Sequence, residues 1–306
     1  MSDVGPIAAI DCGTNTVLLT IAARGGETLV PVIERAEITR LGEGLARTGE
    51  LSASAIDRTL AVFEAYAAEI AAHRCSRVLA VGTEALRRAS NGHAVVARID
   101  AILSRVGGAL EIIAGAREAA LSYAAVRGSF PELRGPRTVV DIGGGSTELV
   151  VGDAQVEGVV SLPIGSVVLT ETYAPSDPPS ATEQAALVRA IDDALGNAPP
   201  LRGTIVGIAG TVTTFAAIAL GLADYDGARV HGHVLTKATL DREVSRLGAL
   251  PLAERRRIPG LQPKRADVIY AGGVILSRVL ARAGATECVV SDRGVRWGLL
   301  YEAART

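Results

Sequence analysis

Apolar positions along the chain recur in two rhythms. Short β-branched runs, "IAAID" (7–11), "VLLTIAA" (17–23), "LVPVIERAEITRL" (29–41) and "RVLAVGT" (77–83), read as strands. Between them, "SASAIDRTLAVFEAYAAEIAAH" (52–73) sets Ile56, Leu60, Phe63, Ala67 and Ile70 at helical spacing behind a Ser52 or Ser54 cap, which predicts a packed crossover helix. The pattern is α/β.

The same grammar restarts in the second half. "TVVDIGGGSTELVVG" (138–152) is strand, tight turn, strand, as "IAAIDCGTNTVLLTIA" (7–22) is near the start. Asp11-Cys12-Gly13-Thr14-Asn15-Thr16 and Asp141-Ile142-Gly143-Gly144-Gly145-Ser146 occupy the same place in two hairpins: an Asp, an apolar residue, a Gly, then small residues. Such a duplication predicts two similar lobes with a cleft between them, where ligand sites concentrate. The Gly/Pro-punctuated stretch "AAVRGSFPELRGP" (124–136) marks the boundary, giving domains 1–125 and 126–306, with the last helix able to pack back on the first. "TYAPSDPPSATEQ" (172–184) reads as a surface loop, with Ser180 or Thr182 opening the next helix.

Composition narrows the chemistry. With 48% hydrophobic and 21% charged residues in 306, the chain is an ordinary globular protein, and 3% aromatics leaves little for base stacking, so nucleic acid is not an expected partner. The net charge is −2, so a polyanion would need a local basic cleft; Lys237 and Lys264 are the only lysines, and Arg carries the rest. Cys12, Cys75 and Cys288 are scattered and odd in number, which indicates neither a disulfide frame nor a zinc site. No signal peptide or membrane-spanning run is evident, and the expectation is a cytoplasmic protein without a membrane partner.

Each Asp-x-Gly turn offers backbone N–H donors and the hydroxyls of Thr14, Thr16, Ser146 and Thr147, a set suited to phosphate oxygens. The aspartates Asp11 and Asp141 cannot bind phosphate directly, but they fit a bridging divalent cation, as Mg²⁺ is held by one or two carboxylates. One such turn could be a plain hairpin; two with the Asp in register favour function. No phosphate-binding P-loop or dinucleotide fingerprint occurs.

Other candidates carry two readings each. "VGIAGTVTTFAAIAL" (206–220) brings Gly210 and Thr211 to a helix start, an anion site or a simple capped turn. "AVGTEALRRASNG" (80–92) puts Arg87 one turn into a helix beyond a strand, an anion clamp or a solvated Arg. Glu118, early in the helix of "EIIAGAREAALSYAAV" (111–126), complements the helix dipole and becomes a general-base candidate only with outside support. Arg255, Arg256, Arg257, Lys264 and Arg265 form either a polyanion track or a solvated surface. His231 and His233 read as structural rather than as ligands.

Taken in order, "AAIDCGTNTVLLTIA", "VGTEALRRASN", "EIIAGAREAAL", "VVDIGGGSTELVVG", "GIAGTVTTFAA", "VHGHVLT", "PKRADVIYAGGVIL" and "VSDRGVRWGLLY" resemble the exopolyphosphatase / guanosine pentaphosphate phosphatase (Ppx/GppA) family. The resemblance implies an α/β fold of two actin-like (ribonuclease H-like) domains around a cleft. It further implies a catalytic base at Glu118 and phosphate contacts from Thr14, Asn15, Arg87, Gly144, Gly145 and Ser146, with Gly143 in the same turn. Asp141 and Glu148 would assist metal or water, with Mg²⁺ as cofactor and Mn²⁺ as its substitute. The implied reaction is hydrolysis of the terminal phosphoanhydride of inorganic polyphosphate, as a homodimer. Its rivals are removal of the 5′-terminal phosphate of guanosine pentaphosphate (pppGpp) and a regulator that binds polyphosphate or the alarmones pppGpp and ppGpp with weak catalysis.

The chain departs from the family pattern in places. Ala120 stands where Arg is usual and Trp297 where an acid is usual, while Cys12 and Thr14 replace the common Ile and Ser. The short, two-domain form lacks the C-terminal His-Asp domain of longer members, which implies fewer distal contacts and short polyphosphate as substrate.

Overall fold

The computed structural model describes residues 5–26 and 28–305. In chain order, β1 (Ile7–Cys12), β2 (Thr16–Gly25) and β3 (Thr28–Ile38) precede helices α1 (Leu45–Thr48) and α2 (Ala53–Ala72). Then come β4 (Arg77–Gly82), α3 (Glu84–Arg88), α4 (Gly92–Leu103), β5 (Leu110–Ile112) and α5 (Gly115–Ser129). The second set of strands opens with β6 (Arg137–Ile142), β7 (Thr147–Gly152) and β8 (Val156–Leu162), followed by α6 (Ser166–Tyr173) and α7 (Ala181–Leu195). β9 (Thr204–Ile208), α8 (Ala209–Ala219), α9 (Gly227–Val230), β10 (Val234–Thr236), α10 (Lys237–Ala249) and α11 (Leu252–Arg255) lead to α12 (Ile269–Ala283), β11 (Glu287–Val290) and α13 (Val295–Arg305).

Contacts divide the chain into two compact units. Unit 1 runs up to Ala125 and takes in Val295 onward; unit 2 is Val126–Gly294, the division falling inside α5. The sheet of unit 1 has the order β3-β2-β1-β4-β5, with β1–β3 antiparallel and β4 and β5 parallel to β1. The sheet of unit 2, β8-β7-β6-β9-β11, repeats that order and adds β10 antiparallel at its edge. The α/β class and the duplication expected from the two hairpins are present as two mixed sheets of matching topology.

Within unit 1, alternation along β1 sorts the core. Ala8, Ile10 and Cys12 pack with Phe63 and Ile70 of α2 and Ile99 of α4, while Ile7 and Ala9 pack on the other face with Val295, Trp297 and Leu300 of α13. α13 therefore covers one face of the first sheet. Gly298 makes this possible, because a Cβ there would stand 2.2 Å from the Leu121 carbonyl oxygen of α5. In unit 2 both β6 and β7 are buried along their whole length, under α6, α7, α8 and α12.

Local signals placed the helix starts. Ser52 Oγ accepts from the Ala55 N–H at the head of α2. Ser180 and Glu183 form a reciprocal capping box on α7, and the Ser180 hydroxyl leads the hydrogen bonds that hold the Glu183 carboxyl down at about 2. Among the described residues, no helix is long and apolar enough to cross a membrane.

Candidate active site

The two hairpin turns have the same geometry. In unit 1 the Gly13 N–H donates to the Thr16 carbonyl at 3.0 Å; in unit 2 the Gly143 N–H donates to the Ser146 carbonyl at 3.0 Å. The next carbonyls are taken from behind. Thr14 O accepts from Gly42 N–H (2.8 Å) and Asn15 O from Thr39 and Arg40 N–H (3.1 and 3.0 Å), whereas Gly143 O accepts from Ser166 N–H and Gly144 O from Val167 N–H, each at 2.9 Å. By contrast, among the described residues the amides of Thr14, Asn15, Gly144, Gly145 and Ser146 donate to no acceptor of the chain. Thr14, Asn15 and Ser146 are nonetheless buried, so amides that would otherwise be costly to leave unpaired line two nests suited to anionic oxygens.

Next to each nest lies a row of residues directly opposite one another across three strands. In unit 2 it reads Asp141, Glu148, Ser161; in unit 1 it reads Asp11, Leu18, Ala36. Asp141 is 7% exposed and Glu148 1%. Two carboxylates directly opposed and out of water repel. A divalent cation held there would relieve that repulsion, and an all-oxygen pair is the donor type that hard cations such as Mg²⁺ take. Among the described residues, no group of three or more His, Cys, Asp and Glu side chains is placed to hold a metal.

The parallel strands of unit 1 end together. Cys12, Gly82 and Ile112 are in register, Thr83 N–H donates to Cys12 O, and Ile113 N–H donates to Gly82 O. The turn after β1, the start of α3 and the start of α5 therefore share one sheet edge, the carboxyl edge where α/β proteins bind ligands. Arg87 sits here: it donates to the Ile113 carbonyl at 2.6 Å and pairs with Glu84, while Arg88 reaches Glu84 at 3.7 Å and is more exposed. Glu118 lies in the first turn of α5, its N–H bonded to Ala114 O, and is buried; the neighbouring Arg117 turns away to pair with Glu302 of α13.

The corresponding edge of unit 2 holds the start of α8. Ala209 takes φ +67°, a left-handed conformation that costs a non-glycine residue strain. Beside it, the Arg265 guanidinium lies against Gly210; a Cβ on Gly210 would stand 2.0 Å from Arg265 Nη1. Thr211 is buried, and Thr214 bonds back to Gly210 O at 2.6 Å. Tyr225, exposed, donates to Asp292 just beyond β11.

The basic run does not act as one surface. Arg255 is 3% exposed and fully engaged inside unit 2, donating to Leu250 O, to Ala266 O and to Asp177 Oδ1 at 2.7 Å. It staples the segment and is removed from the expected track. Arg256, Arg257 and Lys264 stay exposed, and Arg265 belongs with Gly210. His231 stacks on Phe130, with ring centroids 4.6 Å apart. Trp297 is fully buried on α13 and donates from Nε1 to Glu34 Oε1 at 3.2 Å, so this departure from the family pattern is absorbed by packing.

Sequence reasoning missed the segments that bracket the turns. Residues 39–42 hold the first turn and 164–168 the second. The signal available was the glycines: Gly42 and Gly165 each approach a turn so closely that a Cβ would fall 2.3 Å from Thr14 Cγ2 and from Gly144 O, respectively.

Comparison with known proteins agrees with this architecture. The model of the Ppx/GppA phosphatase family matches residues 20–306. The chain is 37% identical to "Exopolyphosphatase 2" of Mycobacterium tuberculosis over 97% of this chain and 98% of that protein. It superposes on the crystal structure of the Aquifex aeolicus Ppx/GppA family member with a TM-score of 0.83, at 37% identity and covering 98% of each chain. An exopolyphosphatase from Cytophaga hutchinsonii gives a TM-score of 0.88 at 26% identity, again over 98% of each chain.

Proposed function

We propose that the chain, which belongs to the Ppx/GppA phosphatase family, is an exopolyphosphatase that hydrolyses the terminal phosphoanhydride of inorganic polyphosphate. The observation that carries this reading is the pair of turns whose carbonyls are held from behind while their amides remain available for phosphate oxygens. A full-length relative with that activity in its name supports it.

In this reading, Glu118 accepts the proton of a water whose oxygen attacks the terminal phosphorus. The bond from that phosphorus to the bridging oxygen breaks, the shortened chain leaves, and orthophosphate is released. The amides of Gly144, Gly145 and Ser146 are the donors of unit 2 for phosphate oxygens, and those of Thr14 and Asn15, with Arg87, are the donors of unit 1. This suits a transfer governed by positioning and charge stabilisation. Asp141 and Glu148 are the residues of unit 2 that would hold Mg²⁺, which when bound supplies positive charge to the phosphates, and Asp11 is the carboxylate beside the turn of unit 1. Replacing Glu118 by Gln tests the assignment. Phosphate release should fall about 10²–10⁴-fold while polyphosphate binding stays near wild type; a wild-type rate in that variant overturns it.

A second reading, phosphate release from guanosine pentaphosphate, is favoured by the exposed Tyr225 ring at the carboxyl edge of unit 2, which offers a base a surface to stack on. Side-by-side rates on polyphosphate and pppGpp separate the two.

A further inference from the structure

We infer that Ser161 is a positioning residue for the carboxylate of Glu148, an inference that rests on the reading of Glu148 as a metal-holding group. Ser161 lies on β8, the edge strand, where it is exposed and directly opposite Glu148. An exposed serine ordinarily bonds water. This one turns inward and donates from Oγ to Glu148 Oε1 at 2.6 Å, a short hydrogen bond.

Glu148 needs such a partner for two reasons. It is almost fully buried with Asp141 opposite, so its charge requires hydrogen bonds. The last torsion of a Glu side chain is also broad, so burial alone does not fix the plane of the carboxylate. The Ser161 hydroxyl on Oε1 contributes to both.

The duplication supplies an internal control. In unit 1 the same row has Leu18 and Ala36 in place of Glu148 and Ser161. Where the acid is missing, the hydroxyl is missing too, although the turn and its bracketing segment are kept. The stretch after Ser161 also holds the second turn: Thr147 Oγ1 donates to Ile164 O, and Ser166 and Val167 donate to Gly143 O and Gly144 O. One run of chain therefore sets both the anion nest and the orientation of the carboxylate beside it.

The test is binding of Mn²⁺ alone, followed by the loss of its free-ion electron paramagnetic resonance signal, with a melting curve for each variant. Ser161→Ala should weaken Mn²⁺ binding about 10–100-fold, the usual effect of removing a hydrogen bond that orients a metal ligand. Ser161→Thr, which keeps the hydroxyl, should bind within a few-fold of wild type, and both should melt as wild type does. Wild-type binding by Ser161→Ala alongside weak binding by Glu148→Gln overturns the positioning role alone. Wild-type binding by Glu148→Gln overturns instead the reading of Glu148 as a metal-holding group. Equal losses in the Ala and Thr variants also count against the inference, because the hydroxyl is then not what matters.

Discussion

The turn after β1 and the turn after β6 differ in what stands beside them rather than in how they are made. Both close with a glycine N–H on the fourth residue's carbonyl, both have their inner carbonyls held by a following segment, and both leave amides available. Beside the first, the row across the strands is Asp11, Leu18, Ala36; beside the second it is Asp141, Glu148, Ser161. An anion nest and a single acid are thus the shared part of the design, and the second acid with its hydroxyl is an addition to unit 2. Unit 1 has its own addition, Glu118 on α5. In the proposed reading the turns of both units take phosphate oxygens, Asp141 and Glu148 of unit 2 hold the cation, and Glu118 of unit 1 is the base.

Copying the unit 1 row into unit 2 should break this division most severely. Glu148→Leu should weaken Mg²⁺-dependent turnover about 100-fold or more, beyond the effect of losing an orienting partner alone. Kinetics across a Mg²⁺ titration would detect it, and an unchanged Mg²⁺ requirement would make the two rows equivalent. Asp141→Asn should act in the same direction with an unaltered melting temperature, whereas thermal collapse would return Asp141 to a purely structural role.

The glycines that bracket the turns differ in what surrounds them. A Cβ at Gly165 meets backbone, Gly144 O at 2.3 Å, while one at Gly42 meets the Thr14 methyl at the same distance. Side-chain atoms yield more readily than backbone. Gly165→Ala should therefore cost about 1–3 kcal/mol and raise KM for polyphosphate, with Gly42→Ala costing less. Denaturant melts of the two variants would check the order.

The smallest effect concerns the apolar residue that ends the strand before each turn, Cys12 in one and Ile142 in the other. Burial first and Asp11 second push the Cys12 thiol well above its ordinary range, and burial pushes Cys288 up to about 12. Neither forms thiolate near neutral pH. A thiol-alkylating reagent at pH 8 should leave activity intact, and Cys12→Ile should be nearly neutral. Rapid inactivation that is lost in Cys12→Ile would show that the end of β1 opens to solvent.

The parts of this comparison that the sequence made legible are those coded locally. Asp-x-Gly between β-branched runs announced both turns, and Ser52 and Ser180 marked helix starts by side-chain caps. What escaped depends on contacts far apart in the chain. Thr39, Arg40 and Gly42 bracket the first turn through backbone N–H groups, which any residue carries. Ser161 became visible only once strand register set it opposite Glu148. The Arg255 to Arg257 run looked uniform because charge does not reveal burial; Asp177 and two carbonyls draw Arg255 inward. Trp297 read as a change in a motif, yet its place is the core of unit 1, with Glu34 receiving its N–H.

Orthophosphate release from a ladder of polyphosphate lengths, with pppGpp alongside and with and without Mg²⁺, separates polyphosphate hydrolysis from its rivals. Mg²⁺-dependent release from polyphosphate should exceed release from pppGpp and vanish in Glu118→Gln. Tight polyphosphate binding with no release at any length, or release confined to pppGpp, would contradict it.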